Sequence, residues 1–481
     1  AKDMKNGLRL QSYPVKLLNN IFPSNLEKAE AFVNLFSANS LSTSLSETER
    51  ERRESEEKKE EYKEPFSDSF HYVNAPFYYD EFKEALQSFA NNNTAVGIDG
   101  ISYKMLLHLP DKWKLLLHSF YQRCWSDGIL PKVWKESVVV PILKQGKCRS
   151  AVDSYRPIAL TSNCAKVMEK IVLQRLQHYC DTHNVIPVNQ AGFRKGRSTT
   201  DHLVKITSQI KKQFSRRKST LATFFDVKKA YDSVWHSRLL HKIKNIGING
   251  MMYKYIQNFL SDRSICTRVG RTYSSFKSIN MGIPQGSLIS PLLFTILIHD
   301  LPKSLSKHTQ LVQYADDIAI WVNTKIRKNT DKRVVNYVQK LYQTELNNLT
   351  SYMAENGLEL SGEKTCLMLF NNGENPKHMP KLELNGMELK YKQNVKFLGV
   401  CFTPKLNWKV HIEALITKAQ QRLNLIKIIS MQPWGQDTKT LLHLAASLVR
   451  AKLTYGQEVY FSASNYLLKR LQSIDSRSIK I

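Results

Sequence analysis

The spacing of apolar residues along the chain predicts alternating helices and strands from about residue 76 onward. Helical spacing, with apolar residues three or four apart, is clearest at 76–90, 166–179 and 199–214, the second of these behind a cap at Ser162/Asn163. The apolar face predicted for the helix at 166–179 consists of Val167, Ile171, Val172, Leu176 and Tyr179. Helical spacing returns after Pro404, so we expect an all-helical C-terminal portion.

Three short apolar runs predict strands at 137–143, 221–225 and 311–322. The third consists of two runs on either side of Tyr314-Ala315-Asp316-Asp317, a pattern typical of a tight hairpin. Strands and helices mixed in this way indicate an α+β body.

Residues 1–75 differ from this body and are interpreted as an N-terminal extension. Within it, the segment 47–64 has nine acidic and six basic residues and almost no apolar ones. Such a segment is typical of a solvated helix or of a disordered linker.

Composition narrows the class of protein. The chain has 481 residues, of which 42% are hydrophobic and 10% aromatic, so we expect a folded protein of about three domains or subdomains. The net charge is +28, and the residues outside the charged segment carry +31. This surplus of positive charge favours a polyanionic partner, and nucleic acid is the first candidate, before a membrane surface. The best apolar run, 292–298, is far shorter than the ~20 residues that span a bilayer, so we expect no membrane partner.

The seven cysteines are odd in number and include no CxxC pair, which favours a reducing, intracellular compartment and argues against a zinc knuckle. The nearest Cys/His group, His178, Cys180 and His183, is interpreted as structural, since no second pair lies nearby in the sequence.

Two acidic positions stand out because they lie in or beside apolar strands. Asp226 ends the run at 221–225, and Asp316-Asp317 occupies the predicted hairpin, where adjacent like charges call for a cation. Oxygen ligands suit Mg²⁺, and two such ions among three carboxylates form the clamp used for phosphoryl transfer. The alternative for Asp316-Asp317 is an exposed turn. Asp226 lies 90 residues upstream, so the sequence alone does not place it near the pair.

Six motifs in order resemble those of reverse transcriptases. They are Ser154-Tyr155-Arg156-Pro157-Ile158, Phe225-Asp226-Val227-Lys228-Lys229-Ala230-Tyr231-Asp232, Gly282-Ile283-Pro284-Gln285-Gly286-Ser287, Tyr314-Ala315-Asp316-Asp317, the segment 357–364, and Phe397-Leu398-Gly399. More narrowly, Asn189-Gln190-Ala191-Gly192-Phe193-Arg194 and the long spacing before the first aspartate resemble non-LTR retrotransposons of the jockey and I type. The resemblance covers about residues 76–475.

The resemblance implies a right-hand polymerase with fingers at 76–220, a palm with an antiparallel sheet at 221–403, and a helical thumb at 404–481. The reverse transcriptase core itself would cover about 125–403. The implied reaction is RNA-templated extension of a DNA primer with deoxynucleotides, assisted by two Mg²⁺ ions, with Mn²⁺ as a possible substitute.

The same resemblance implies roles for individual residues. Asp226, the backbone carbonyl of Val227, and Asp316 resemble the metal ligands, and Asp317 resembles the third catalytic carboxylate, which also faces the metals. Lys364 matches a lysine that protonates the pyrophosphate leaving group, with a surface role as the alternative.

For the nucleotide, Tyr231 matches an aromatic ring under the sugar that would exclude a ribose 2′-hydroxyl, with a core tyrosine as the alternative. Gln285 and Gly286 resemble the segment that packs against nucleotide and template. Lys144 and Arg156 resemble the basic pair that grips the triphosphate, although each alone would more often be a surface charge. The segment 397–400 resembles the hairpin that grips the primer end.

The sequence also departs from the family pattern. The first motif, usually Gly-Pro-Asp-Gly, is Gly97-Ile98-Asp99-Gly100 in this chain. In addition, no endonuclease and no C-terminal nucleic-acid-binding or RNase H segment is recognised. We therefore expect a fragment or a truncated copy. The alternatives are a catalytically inactive relic that binds RNA, a group II intron maturase or another RNA-templated polymerase, and a structural protein with a basic face. Localisation is expected to be nuclear, cytoplasmic or both.

Overall fold

A computed structural model describes residues 14–17, 20–61, 72–144, 146–432 and 436–480. The chain forms two compact units. Unit 1 comprises Ala1–Pro187, Lys228–His299 and Ala354–Leu358, and unit 2 comprises Val188–Val227, Asp300–Met353 and Glu359–Ile481. Helices and sheets are mixed, which confirms the α+β prediction, while the division into fingers, palm and thumb stays a prediction.

The described residues form α-helices and β-strands, numbered in chain order. The α-helices are α1 (Asn25–Asn39), α2 (Glu47–Glu61), α3 (Tyr79–Gln87), α4 (Tyr103–Leu107), α5 (Asp111–Asp127), α6 (Lys132–Lys135), α7 (Asn163–Thr182), α8 (Thr199–Ser215), α9 (His236–Asn245), α10 (Gly250–Leu260), α11 (Ser290–Leu297), α12 (Lys332–Glu355), α13 (Lys409–Ser430), α14 (Thr438–Leu444), α15 (Ala451–Thr454), α16 (Gln457–Tyr460) and α17 (Asn465–Ile479). The strands are β1 (Val15–Leu17), β2 (Asn20–Phe22), β3 (Glu136–Leu143), β4 (Tyr155–Leu160), β5 (Ser219–Phe225), β6 (Val227–Lys228), β7 (Arg263–Val269), β8 (Thr272–Tyr273), β9 (Lys277–Ile279), β10 (Gln310–Tyr314), β11 (Asp317–Thr324), β12 (Glu359–Leu360), β13 (Cys366–Phe370), β14 (Glu383–Leu384), β15 (Met387–Glu388), β16 (Val395–Phe397) and β17 (Val400–Phe402).

The predicted helices at 76–90, 166–179 and 199–214 correspond to α3, α7 and α8. The hydroxyl of Ser162 caps α7 by accepting a hydrogen bond from the Ala165 N–H. All five residues of its predicted apolar face are buried. The predicted strands are confirmed as β3, β5 and the pair β10 and β11.

Unit 1 is built on a sheet with the order β4-β3-β7-β8, to which β9 adds by pairing with β7. Strands β3 and β4 are antiparallel, whereas β3 and β7 are parallel. Helix α1 begins with a capping box between Ser24 and Glu27, and its apolar face contributes Phe32, Val33 and Phe36 to a core shared with β3 and β7. The part that α1 plays in a core was not predictable from the sequence, because its partner strand β7 lies far downstream.

The described part of the charged segment, Glu47–Glu61, is a helix, which is one of the two predicted alternatives, and part of it is packed rather than solvated; residues 62–64 lie outside the described residues. The guanidinium of Arg53 lies 4.9 Å from the centroid of the Trp235 ring and donates a hydrogen bond to the Gly357 carbonyl. The indole N–H of Trp235 donates to Glu57 at 2.7 Å. Helix α2 is therefore part of unit 1.

Unit 2 contains a fully antiparallel sheet with the order β10-β11-β5-β13. Every residue of β5 is buried because both faces of the sheet are covered. On one face Ala222 and Phe224 belong to the same core as Leu203 of α8. On the other, Thr223 shares a 2.9 Å hydrogen bond with Tyr342 of α12.

The C-terminal part of unit 2 is helical, as predicted, from α13 to α17. Its core is continuous with one face of the sheet and includes Trp408, Leu415 and Leu423. A π-helical turn at Ala445–Arg450 interrupts the run of α-helices, and Arg422 donates a hydrogen bond to the Leu448 carbonyl within it.

One buried histidine makes the stability of unit 2 depend on pH. His411 is 3% exposed, and burial, followed by the charges of Lys452, Lys418 and Lys396, lowers its pKa from 6.5 to about 4. The contribution of neutral His411 to the free energy of unfolding is fully present above pH 6.5 and is lost as the pH falls toward 4. The reason is that His411 binds a proton at a higher pH in the unfolded chain than in the folded one. Between pH 7 and pH 5 we expect a loss of about 2 kcal/mol from this group.

Urea unfolding followed by tryptophan fluorescence at the two pH values checks this expectation. The matched control is His411→Gln, which keeps a neutral hydrogen-bond acceptor for the Cys401 N–H but does not titrate. The parent should lose about 2 kcal/mol more than the variant between pH 7 and pH 5. Equal losses would show that His411 does not carry the effect.

Within the described residues, no helix is both long enough and apolar enough to cross a lipid bilayer. The seven cysteines are all described, and each is a free thiol.

Candidate active site

The acidic pair lies at the tip of a β-hairpin in unit 2. Strands β10 and β11 are antiparallel, and their last ladder pair is Tyr314 with Asp317. Only Ala315 and Asp316 connect them, and Ala315 adopts a positive φ of 55°. The tight hairpin predicted from the sequence is confirmed, and both carboxylate side chains are exposed at its tip.

Asp226 is placed beside this pair by the pairing of β5 with β11. The two strands are antiparallel, and Phe225 is the partner of Ile318. One residue further along the same register, Asp226 lies opposite Asp317. The fold thus supplies what the sequence could not, because strand pairing brings acidic residues from two distant segments to the same end of the sheet.

The three carboxylates influence one another electrostatically. Asp317 reaches solvent at the tip, but the protein around it removes part of its hydration, and this desolvation, followed by the negative charges of Asp316 and Asp226, raises the pKa of Asp317 from 3.8 to about 6. Oxygen-only, negatively charged donors of this kind fit a hard divalent cation. Among the described residues, however, no three Asp, Glu, His or Cys side chains are close enough together to hold a metal ion. The assignment of Asp226, Asp316, Asp317 and the Val227 carbonyl as ligands therefore stays a prediction.

Lys364 brings a positive charge to the same end of the sheet. Its Nζ lies 3.1 Å from Oδ2 of Asp226, and both side chains are solvent-accessible, so the pair contributes less than about 1 kcal/mol to stability. The turn that carries Lys364 is fixed to Asp226, because the Ser361 N–H donates to the Asp226 carbonyl at 2.8 Å. The predicted role of Lys364 as a proton donor stays a prediction.

Lys144 and Arg156 lie on neighbouring strands of unit 1. Arg156 of β4 pairs with Ile142 of β3, and the Lys144 N–H donates to the Ser154 carbonyl just beyond the end of β3. Residues opposite each other, and two apart on one strand, share a face, so the two cations lie on the same face of the strand pair. Arg156 is exposed, and the Lys144 ammonium donates to the Asp153 carbonyl at 2.9 Å.

Tyr231, also in unit 1, is half-buried with one face of its ring covered. It stacks on Phe294 with ring centroids 5.4 Å apart and planes 10° apart. Its carbonyl accepts the Ile283 N–H at 2.8 Å, which joins the motif around Tyr231 to the Gly282–Gly286 turn. The ring therefore has a fixed support, as a residue that shapes a binding surface requires.

Gln285 and Gly286 are held against β4. The Gln285 carbonyl accepts the Ala159 N–H at 2.9 Å. A Cβ on Gly286 would lie 2.1 Å from the Ala159 carbonyl oxygen, so only glycine fits this close approach.

Asp232 has a role in this region that its sequence position alone does not reveal. Its Oδ1 accepts a 2.8 Å hydrogen bond from Nε2 of Gln285, and burial raises its pKa although Gln285 and the lysines 229 and 144 oppose the shift. The available signal was its place directly after Tyr231 in a motif already quoted. The predicted residues thus fall into two groups. Unit 2 brings together Asp226, Asp316, Asp317 and Lys364, and unit 1 carries Lys144, Arg156, Tyr231, Gln285 and Gly286.

Comparison with known proteins agrees with the motifs. The chain is 27% identical over 417 residues to the probable RNA-directed DNA polymerase from transposon BS of Drosophila melanogaster, covering 84% of this chain and 44% of that protein. It is 28% identical over 399 residues to the RNA-directed DNA polymerase from mobile element jockey of the same species, covering 80% and 42%. The chain therefore spans less than half the length of these curated relatives.

Among solved structures, telomerase from Candida albicans in complex with a fragment of telomeric RNA is 13% identical and gives a TM-score of 0.39, covering 76% of this chain and 68% of that one. A similarity this low bears on neither fold nor function. The family model is decisive, because the model for reverse transcriptase (RNA-dependent DNA polymerase) matches residues 142–402, more than half of the chain, and includes both groups of predicted site residues. The resemblance seen in the motifs is confirmed, and the chain belongs to the reverse transcriptase family.

Proposed function

We propose that this chain extends a DNA primer with deoxynucleotides on an RNA template, as the polymerase segment of a non-LTR retrotransposon protein. One observation carries the proposal. In a chain of the reverse transcriptase family, Asp226 at the end of β5 lies in register with the Asp316-Asp317 hairpin. Carboxylates at one end of a sheet supply the oxygen ligands that two-metal phosphoryl transfer uses, and their side chains would have to draw closer together to share an ion.

In this proposal, the side chains of Asp226, Asp316 and Asp317, with the carbonyl of Val227, hold two Mg²⁺ ions, and Mn²⁺ can replace them. When bound, the ions supply charge neutralisation at the triphosphate and a lowered pKa for the primer 3′-hydroxyl. The exposed Asp316 and Asp317 can receive ions from solvent, and Lys364 balances the negative charge at Asp226.

The remaining residues bind and orient the nucleotide. Arg156 can hold two phosphate oxygens at once through its planar guanidinium, and Lys144 adds a point charge on the same strand face. Lys364 would give a proton to the departing pyrophosphate. Asp232 fixes the amide of Gln285 at the surface that meets nucleotide and template.

We further assign fingers to 76–220, palm to 221–403 and thumb to 404–481. The antiparallel sheet of unit 2 supports the palm, and the helices from α13 to α17 support the thumb. The basic surplus of +28 supports binding of the template and primer through their phosphates.

Primer extension by the full chain tests the proposal. A labelled DNA primer on an RNA template is incubated with deoxynucleotides, with and without Mg²⁺, and RNA binding is measured in parallel. We expect extension that depends on template sequence and on the divalent ion. A folded chain that binds the RNA and adds no nucleotide would instead be an inactive relic, and the proposal would be wrong.

Replacing Tyr231 with alanine should weaken sugar discrimination. Phe294 supports the ring from behind, and removal of the ring leaves room for a ribose 2′-hydroxyl. We therefore expect the preference for deoxynucleotides over ribonucleotides to fall by about 10–100-fold, which corresponds to a loss of ~1.4–2.7 kcal/mol in the free energy of discrimination. The measurement is kcat/KM for each nucleotide in primer extension.

The control for Tyr231→Ala is Tyr337→Ala, which removes an exposed tyrosine from α12 in unit 2. It should leave the discrimination ratio unchanged. If Tyr231→Ala keeps the parental ratio, Tyr231 is a packing residue and not a sugar gate.

A further inference from the structure

The segment Asn189–Gly192, which the family resemblance singled out without giving it a role, lies directly against the acidic hairpin in unit 2. The Gln313 N–H of β10 donates to the Asn189 carbonyl at 2.8 Å, and the Ala191 N–H donates to the Gln313 carbonyl at 3.0 Å. These bonds form a short parallel bridge between Gln190 and Gln313. The segment therefore extends the edge of the sheet just before the hairpin begins.

The side chain of Gln190 reaches the tip of that hairpin. Its Oε1 accepts two backbone hydrogen bonds, from the Gly192 N–H at 2.8 Å and from the Ala315 N–H at 3.1 Å. Because both partners are N–H donors, the oxygen of the amide must face them. Gln190 is 1% exposed and Ala315 is 6% exposed, so water cannot easily replace this bond.

Ala315 needs such a restraint because its backbone is strained. Its φ of 55° is uncommon for a residue with a side chain, and the surroundings must hold it there. Ala315 is followed at once by Asp316, so the orientation of the Ala315 backbone sets where the Asp316 carboxylate points.

Gly192 completes the contact. A Cβ at this position would lie 2.5 Å from the Ala315 nitrogen, closer than real Cβ contacts, so the backbone approach requires glycine. The glutamine and the glycine of the Asn189-Gln190-Ala191-Gly192 motif thus act on the same residue of the hairpin.

Three further hydrogen bonds from α8 hold the segment and the adjoining strand β10. Nζ of Lys205 donates to Oδ1 of Asn189 at 3.0 Å and to the Leu311 carbonyl at 3.2 Å. Nε2 of His202 donates to the Gln313 carbonyl at 2.8 Å. The support of the hairpin is therefore a connected set of hydrogen bonds, and Gln190 is its contact with the tip.

From this geometry we infer that Gln190 is a positioning residue for the acidic hairpin. It holds Ala315, and through Ala315 it holds Asp316, in the orientation that receives a divalent ion. The inference rests on the proposed function for its link to polymerisation, but the effect on ion binding is measurable without polymerisation.

The chain offers a matched control for Gln190. Gln313 is a second fully buried glutamine on the bridge, and in the described residues its side-chain amide has no hydrogen-bond partner. Gln190→Met and Gln313→Met remove the same amide from neighbouring buried positions. Only the first removes an acceptor of the Ala315 N–H. Gln190→Asn is one methylene shorter, so it withdraws the amide oxygen from the Ala315 N–H while keeping a polar side chain. This variant replaces Gln190→Met in the experiment if Gln190→Met does not fold.

The first measurement is Mn²⁺ binding to the full chain, by the loss of the electron paramagnetic resonance signal of free Mn²⁺. We expect Gln190→Met and Gln190→Asn to raise the dissociation constant about 10-fold, as outer-shell partners of metal ligands generally do, and Gln313→Met to leave it unchanged. Thermal unfolding of each variant establishes that the comparison is between folded proteins.

The second measurement is primer extension by the same variants. Gln190→Met should lower kcat by about 30-fold while KM for the deoxynucleotide stays within about threefold, because Lys144 and Arg156 are untouched. A general loss of fold would instead lower the amount of active enzyme and would appear equally in Gln313→Met.

The outcomes separate the inference from the proposed function. If folded Gln190 variants bind Mn²⁺ and extend the primer as the parent does, the inference is wrong. If the parent adds no nucleotide but the Gln190 variants alone bind Mn²⁺ more weakly, the positioning role holds and the proposed function fails. If the parent binds no Mn²⁺, both are overturned.

Discussion

Asp316→Asn is expected to slow primer extension by roughly 10³-fold, which corresponds to a loss of about 4 kcal/mol of transition-state stabilisation. Asparagine has nearly the same shape as aspartate, but it lacks the negative charge that a hard divalent ion requires. Asp316 is exposed in the two-residue connection between β10 and β11, so the substitution should leave the fold intact. Single-turnover extension on an RNA template with saturating deoxynucleotides and Mg²⁺ measures the effect.

Glu388→Gln is the matched control, because it removes one negative charge from an exposed residue of unit 2 that lies outside the candidate site. It should extend primers at the parental rate, and both variants should melt within a few degrees of the parent. An Asp316→Asn protein that retains more than a tenth of the parental rate would falsify the assignment of Asp316 to the metals.

Gly286→Ala is expected to have the second largest effect, a fall of about 100-fold in kcat/KM together with a loss of about 3 kcal/mol in the free energy of unfolding. The added Cβ would lie 2.1 Å from the Ala159 carbonyl oxygen, which is a backbone atom and cannot rotate away. The φ of +153° at this residue adds strain for any side chain. Relief of the clash must move the turn or β4, and either movement breaks the Ala159–Gln285 hydrogen bond.

The control for Gly286→Ala separates the clash from backbone strain. Gly100, also in unit 1, has a φ of +69° with no atom within 4 Å of a built Cβ. Gly100→Ala should therefore cost only about 1 kcal/mol and leave extension unchanged. Urea unfolding and steady-state extension measure both variants. Equal behaviour of the two would mean that the approach of Gly286 to β4 does not constrain the site.

Much of the local structure could be predicted because it follows from the spacing of apolar residues along the chain. The face of α7 was predictable since Val172, Leu176 and Tyr179 follow one another at helical spacings of four and three residues, and all three are buried. Strand β5 was predictable from its continuous apolar run, which is what a strand covered on both faces requires. The hairpin at Asp316 was predictable because polar residues interrupt two apolar runs.

What could not be predicted depends on contacts between distant segments. The position of Asp226 beside Asp317 follows from the register of β5 with β11, and no local pattern encodes that register. Strand β13 was missed because five apolar residues without alternation do not distinguish a strand from a buried helical turn.

The roles of Gln190 and Asp232 were missed for a related reason. The partners of Gln190 are the backbone N–H groups of Gly192 and Ala315, and every residue but proline has such a group. Asp232 binds the Gln285 amide 53 residues later in the sequence. The presence of a polar residue in a motif indicates a functional or structural role, but its hydrogen-bond partner can be identified only from the fold.

The packing of α1 against β7 also sets the order of events during synthesis. Helix α1 ends at Asn39, whereas β7 begins at Arg263, so residues 40–262 must be made before the two can meet. At about 5–20 residues per second this takes roughly 10–45 s. Throughout that interval Phe32, Val33 and Phe36 have no β7 surface to cover them, and only the earlier members of the same core, Val139, Val152 and Tyr155, can cover this apolar face once they emerge. Slower elongation before Arg263 should therefore raise the demand for chaperones, and co-translational assembly of unit 1 cannot finish until its third segment emerges.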